Sequence, residues 1–241
     1  MAKRPARGEA TSEGLDDPTA PEVIAFDVIG TLFSLAALEP LAVAAGGDAS
    51  TVGRWFTQLV ADGSSLTAAR EYQPFRDVAK ASLRTVLPKS KAAARDKVVA
   101  GLAKLDVYDD AAPAMGRLIM AGRAVVISNA SAESTKKLLA RGRLDAFVDS
   151  VVSAEDVRQW KPGSDPYAFA AATQDVPLER MAVVSAHPWD IVGARQSGLV
   201  TGWCNRDGAT FPAPFGQPDV TAKNLLDVVE KLLALRGGQT T

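Results

Sequence analysis

One cysteine, Cys204, and one histidine, His187, are the whole supply of soft ligands in 241 residues. A lone cysteine cannot close an intramolecular disulfide, and the pair falls short of the four N or S ligands of a structural zinc site. Charge of one sign is also missing: 27 Lys and Arg face 28 Asp and Glu, a formal net charge of -1. No basic field exists to hold a nucleic acid backbone or an anionic membrane, so neither partner is expected. No window approaches the ~18 to 20 uninterrupted apolar residues of a membrane span, and the first twenty residues lack the apolar block of a secretory signal. The chain is expected to be cytoplasmic. There is no internal repeat and no glycine-rich phosphate loop, which argues against a dinucleotide site.

What is present is an ordinary globular composition, 47% hydrophobic and 23% charged, enough for one large domain or a core with a smaller insert. Residues 1–20 carry almost no apolar side chains and are expected to form a disordered arm, with 237–241 a flexible tail. The run Val23-Ile24-Ala25-Phe26-Asp27-Val28 is continuous, apolar and β-rich, as a strand buried on both faces should be. Similar runs occur at Arg123 to Ile127, Ser150 to Ser153, Met181 to Val184 and Val200 to Cys204. Helical patterns separate them, at Ala111 to Gly122, Ala132 to Arg141 and Pro166 to Thr173. This alternation predicts an α/β fold, a doubly wound parallel sheet with right-handed crossovers, over 21–34 and 106–236. From 35 to 105 the spacing is helical throughout, with Trp55, Phe56, Leu59 and Val60 on one face and Phe75, Val78, Ala79 and Leu83 on another. This stretch is expected to be an inserted helical cap subdomain.

Ligands of parallel sheets bind beyond the carboxyl ends of the strands. Asp27, Thr31, Ser128, Asn129, Ser185, His187 and Asp190 all fall at or just past predicted strand ends, and they should converge on one crevice.

The string Phe26-Asp27-Val28-Ile29-Gly30-Thr31-Leu32-Phe33 comes first, followed by Ile127-Ser128-Asn129-Ala130. Then come Trp160-Lys161-Pro162, with Tyr167 six residues after the lysine, and Val184-Ser185-Ala186-His187-Pro188-Trp189-Asp190. Together they resemble the four ordered motifs of the haloacid dehalogenase (HAD) superfamily. The resemblance spans about Pro21 to Leu235 and implies a HAD-type Rossmann-like core with a cap. Within that superfamily the chain is most similar to the type II (S)-2-haloacid dehalogenases. Phosphatases of this fold place a second Asp two residues after the nucleophile, where it moves a proton, and a Gly-Asp-x-x-x-Asp stretch that helps hold Mg²⁺. Ile29 and Ala186 stand at the proton-transfer and metal-ligand positions here and can do neither. No metal and no cofactor is expected.

The resemblance implies that Asp27 attacks the halogen-bearing carbon of a short 2-haloacid, such as a haloacetate or 2-halopropionate, and that water then hydrolyses the aspartyl ester. It assigns Lys161 to hold Asp27 ionised, Ser185 to support Lys161, and Asp190 to anchor Lys161 and orient the water. Thr31, Ser128 and Asn129 orient Asp27 and bind the substrate carboxylate with backbone N–H groups, although each alone could be a helix cap. Tyr167 bonds near the substrate or Lys161, or is core. His187 replaces the asparagine usual at its place. It either positions the attacking water and accepts its proton or is a tolerated polar replacement.

Type II dehalogenases carry a halide-accepting arginine early in the cap, within Trp-Arg-x-x-Gln-Leu. This chain has Arg54-Trp55-Phe56-Thr57-Gln58-Leu59, which puts Trp55 in the arginine's place and Arg54 about 100° around the helix. Arg70 or Arg76 could reach in instead, or Trp55, Phe75, Trp189 and the Asn129 amide could hold the halide through ring edges and N–H donors. Exposed apolar positions in the cap would permit a homodimer. Two other readings compete: a phosphoester hydrolase of the same superfamily, and a fold relative that only binds.

Overall fold

The computed structural model describes residues 21–118 and 121–235. The expected arm at 1–20 and tail at 237–241 lie outside the described residues. Among the described residues the strands are β1 (Val23–Phe26), β2 (Phe33–Ser34), β3 (Asp106–Val107), β4 (Arg123–Ser128), β5 (Ser150–Ser153), β6 (Met181–Ser185), β7 (Val200–Cys204) and β8 (Val220–Ala222). Six form one sheet in the order β5-β4-β1-β6-β7-β8, parallel throughout. β1 lies at its centre, and all four of its residues are buried. That burial is why β1 reads as an unbroken apolar run instead of an alternation.

The helices are α1 (Glu39–Ala44), α2 (Thr51–Ala68), α3 (Phe75–Val86), α4 (Ala92–Gly101), α5 (Ala111–Gly116), α6 (Ala132–Arg141), α7 (Ala154–Val157), α8 (Asp165–Thr173), α9 (Pro188–Gln196) and α10 (Leu225–Ala234). α1 to α4 lie between the first two core strands of the sequence and form the helical insert. β2 and β3, antiparallel to each other, are the two strands by which the chain leaves the core for the insert and returns. α3 buries Phe75, Val78, Ala79 and Leu83 and turns Arg76, Lys80 and Arg84 outward, the amphipathic pattern read from the sequence.

Two expected boundaries shift, the first for a visible reason. β1 ends at Phe26 because the Val28 carbonyl accepts the N–H groups of Thr31, Leu32 and Phe33, which turns the chain sharply after Asp27. The helix expected over 111–122 stops at Gly116.

Candidate active site

The carboxyl ends of β1, β4 and β6 meet beneath the helical insert. Asp27 follows β1, and its backbone N–H donates to the Val184 carbonyl at 3.0 Å, which extends the β1–β6 ladder by one residue and aims the side chain upward. Gly30 completes the turn at φ +86°, a conformation only glycine adopts freely. A Cβ there would also lie 2.7 Å from the His187 ring and would have to displace it.

Lys161 Nζ lies 2.8 Å from Asp27 Oδ1 and 2.8 Å from Asp190 Oδ2, and all three residues are buried. Thr31 Oγ1 donates to Asp27 Oδ2 at 2.7 Å and accepts the Ala186 N–H at 2.9 Å. Tyr167 donates its hydroxyl to Asp190 Oδ1 at 2.6 Å. Both carboxylate oxygens of Asp190 therefore have donors.

Burial alone would push the Asp27 carboxyl up, but the Lys161 ammonium, then His187, and the hydrogen bonds from Lys161 and Thr31 outweigh it and hold the group below its ordinary value. For Lys161, burial pulls down while the charges of Asp190 and Asp27 push up more strongly, and the ammonium stays protonated. The Tyr167 phenol is driven well up by burial first and the Asp190 charge second, which keeps it a donor. Lys161 is thus shared between Asp27 and Asp190, and Asp27 is the one of the two that reaches the cavity.

That cavity is lined by Asp27, Ile29, Phe56, Phe75, Ser128, Asn129, Trp160 and Trp189, together with Leu59, Val60 and Ala130. Its roof, from α2 and α3, is wholly apolar. His187 is not itself a lining residue but packs behind two of them, its ring between Phe56 of α2 (5.1 Å between centroids) and Trp189 (5.3 Å, nearly parallel). His187 Nε2 lies 2.8 Å from the Ile29 carbonyl oxygen and 3.5 Å from Asp27 Oδ2. Asn129 clasps the Lys161 backbone, accepting its N–H at 2.8 Å and donating to its carbonyl at 3.3 Å. Ser128 Oγ accepts the Ala130 N–H at 3.0 Å, which leaves its own proton to donate.

The donor set does not fit a divalent cation. Among the described residues no three His, Cys, Asp or Glu side chains cluster to hold a metal. Lys161 already bridges the two carboxylates that could contribute.

A family model for haloacid dehalogenase-like hydrolases matches residues 21–198. The chain belongs to this family. Among relatives of this haloacid dehalogenase-like hydrolase, the (S)-2-haloacid dehalogenase H-109 of Pseudomonas putida is 26% identical over 219 residues, covering 88% of this chain and 98% of that protein. The (S)-2-haloacid dehalogenase 4A of Burkholderia cepacia is 29% identical over 190 residues, covering 76% and 82%. The solved L-2-haloacid dehalogenase of Xanthobacter autotrophicus with chloropropionic acid covalently bound matches with a TM-score of 0.78 at 20% identity, covering 87% and 97%, a likeness of fold.

Three expectations from the sequence are corrected by the geometry of this hydrolase. Trp55 does not line the cavity: its Nε1 donates to the Ala79 carbonyl and to Ser82 Oγ, both at 3.0 Å, inside the α2–α3 packing. The adjacent Phe56, 100° further round α2, takes the cavity face instead. Tyr167 reaches Asp190 and no substrate space, being wholly buried. Ser185 does not touch Lys161; its Oγ accepts the His187 N–H at 3.1 Å and so sets the start of the loop that carries His187. Arg54 pairs with Asp48 at 3.4 Å on the surface, as its place on the helix predicts. Arg70 and Arg76 are exposed and are not among the lining residues.

Arg206 was missed. It lies just beyond β7, where the strand-end rule would have found it. Its guanidinium grips Asp110 with two nitrogens (2.7 and 2.9 Å), donates to the Thr31 carbonyl at 3.1 Å and stacks 4.0 Å over the Tyr108 ring. It ties the loop bearing Thr31 to the segment by which the chain returns from the insert.

Proposed function

We propose that this chain is a cytoplasmic, metal-independent dehalogenase that hydrolyses short 2-haloacids through an ester on Asp27. The observation that carries the reading is an ionised carboxylate, fixed by Lys161 and Thr31, at the floor of an apolar aromatic cavity. A carboxylate stripped of water and held in position is a competent nucleophile for in-line displacement. A halide leaves as an anion and needs no proton, so nothing is required of Ile29. The substrate carboxylate fits against Ser128 Oγ and the N–H groups that follow β4. The two (S)-2-haloacid dehalogenases named above support the same substrate class.

Displacement moves the negative charge from Asp27 to the halide, among Phe56, Phe75 and Trp189, whose positive ring edges are the available partners. Water then adds to the aspartyl carbonyl carbon. Negative charge grows on the aspartyl carbonyl oxygen, and Lys161, Thr31 and His187 already stand as donors around the aspartyl group. His187 presents Nδ1 as the remaining acceptor for the water's proton. Collapse of the intermediate breaks the bond between the aspartyl carbon and the ester oxygen; that oxygen takes the proton back from His187 and leaves in the 2-hydroxyacid, and the remaining water proton passes to solvent as the Asp27 carboxylate is restored.

Single turnover in ¹⁸O-water tests this directly. Label should enter Asp27, and halide release from haloacetate or 2-halopropionate should survive EDTA unchanged. Label only in the hydroxyacid, or activity lost to chelation and restored by Mg²⁺, overturns the reading, and an aryl phosphate in the same panel reports the phosphoester alternative.

A further inference from the structure

Trp160 and Lys161 are consecutive, yet their side chains serve different parts of the molecule. The Lys161 ammonium sits between Asp27 and Asp190 in the core. The Trp160 indole, 1% exposed, is driven into the helical insert. Its six-membered ring lies on Gly63 in the interior of α2, so closely that a Cβ at 63 would stand 2.2 Å from Cε3. It stacks on Phe75 with centroids 5.4 Å apart, and its Nε1 donates to the Gln73 carbonyl at 3.0 Å. Thr67 of α2 fastens the backbone on both sides, accepting the Trp160 N–H at 3.2 Å and donating to its carbonyl at 3.3 Å. The same indole walls the cavity.

Glycine is unfavourable inside a helix, so its presence at the one point where the indole lands marks a required close approach. The peptide between Trp160 and Lys161 is therefore gripped twice, by the insert through Thr67 and by the core through Asn129. We propose that Trp160 is a positioning residue that couples the seating of the insert on the core to the placement of the Lys161 ammonium on Asp27. With the insert displaced, the Thr67 and Gly63 contacts are lost, the segment carrying Lys161 is held from one side only, and the nucleophile loses its fixed cation. The enzyme is thereby competent only when its cavity is roofed and dry.

The turnover readout rests on the dehalogenase reading, so the test carries a second readout that does not. Gly63→Ala raises helix propensity in α2 while forcing the indole away. The groups that face Asp27 are Lys161 and His187, with Asp190 and Tyr167 behind Lys161, and the insert presents only Phe56, Leu59, Val60 and Phe75, none charged. In ¹³C-carboxyl NMR, Asp27 in Gly63→Ala should therefore titrate at higher pH than in the wild type. Its kcat on haloacetate should fall at least tenfold, with a smaller change in KM. Thr67→Val, which removes both backbone contacts at constant volume, should shift both readouts in the same direction by less, and it carries the test if Gly63→Ala does not fold. Because Gly63→Ala acts through the indole, adding it to Trp160→Leu should change neither readout beyond Trp160→Leu alone. Wild-type titration and kcat in Gly63→Ala and Thr67→Val, or additive effects in the double variant, overturn the proposal. Absence of halide release from the wild type sinks the dehalogenase reading instead and leaves the Asp27 titration to decide this one.

Discussion

His187 Nε2 lies 2.8 Å from the carbonyl oxygen of Ile29. A carbonyl can only accept, so this nitrogen carries a proton whether the ring is neutral or charged. The proton also faces Asp27 Oδ2 at 3.5 Å, and the free lone pair of the neutral ring is on Nδ1. The histidine thus combines a fixed donor toward the nucleophile with an acceptor at its other ring nitrogen.

Removal of that pair should uncouple the two halves of the reaction. In His187→Ala, ester hydrolysis should slow by about 10² to 10⁴, the usual value of a general base. Mass spectrometry after mixing with haloacetate should then show Asp27 carrying the acid. His187→Asn keeps a donor and an acceptor on one amide and should accumulate less. If both variants turn over like the wild type and trap nothing, the histidine has no part in hydrolysis.

The adjacent pair Trp55 and Phe56 separates structure from substrate contact. Trp55→Phe removes two buried hydrogen bonds within the insert and should cost about 1 to 3 kcal/mol in urea unfolding, with kcat on haloacetate unchanged. Phe56→Ala opens the cavity and removes the ring packed on His187. It should change KM and the ratio of bromo- to chloroacetate rates. The opposite assignment of effects would return Trp55 to the cavity wall.

Tyr167→Phe deletes the donor to Asp190 Oδ1 and leaves a buried carboxylate under-satisfied. Stability should drop by about 1 to 3 kcal/mol. A loss below about 0.5 kcal/mol in chemical denaturation, within the range of an indifferent substitution, would mean that water replaces the hydroxyl.

The charged triad also fixes a pH signature. Asp27 is held below its ordinary value of 3.8, so its contribution to stability is present above that value and is lost as pH falls through the lower folded value. Lys161 is raised above 10.5, so its contribution is present below 10.5 and is lost as pH rises through the higher folded value. Comparing unfolding midpoints of the wild type and Asp27→Asn across pH should show the difference between them shrinking at the acid end, below about pH 4, and again at the alkaline end, above 10.5, where Lys161 loses the charge that pairs with Asp27. A difference that varies across neutral pH would contradict the ionised assignment. Lys161→Met, which leaves two buried carboxylates without a cation, should cost about 3 to 5 kcal/mol near neutrality.

Much of the fold and part of the site were legible in the chain itself. Strands covered on both faces must be apolar without interruption, so Val23–Phe26, Arg123–Ser128 and Met181–Ser185 announce themselves, and with them the strand ends that carry Asp27, Ser128, Asn129 and Ser185. β8 and the two-residue strands β2 and β3 did not stand out, since short elements leave little periodicity to read, whereas α10 was legible from Leu225, Val228, Val229, Leu232 and Leu233 at helical spacing and was passed over. Helical spacing identified the insert but not which of Trp55 and Phe56 faces the cavity. Both lie on the broad apolar side of α2, and only the direction from which the core approaches separates them.

The sequence by itself determined the parallel sheet, the helical insert and the set of polar side chains delivered to one crevice, because each follows from local burial and from the rule that strand ends are where ligands bind. The tertiary structure decided the rest. It set Lys161 Nζ 2.8 Å from an oxygen of Asp27, 134 positions away, gave the second oxygen of Asp190 to Tyr167, set the proton of His187 on Nε2, moved Ser185 from the lysine to the histidine loop and seated Trp160 against Gly63. Those relationships depend on how the insert and four separate chain segments dock, and no local pattern of residues encodes the distance between side chains that meet only on docking.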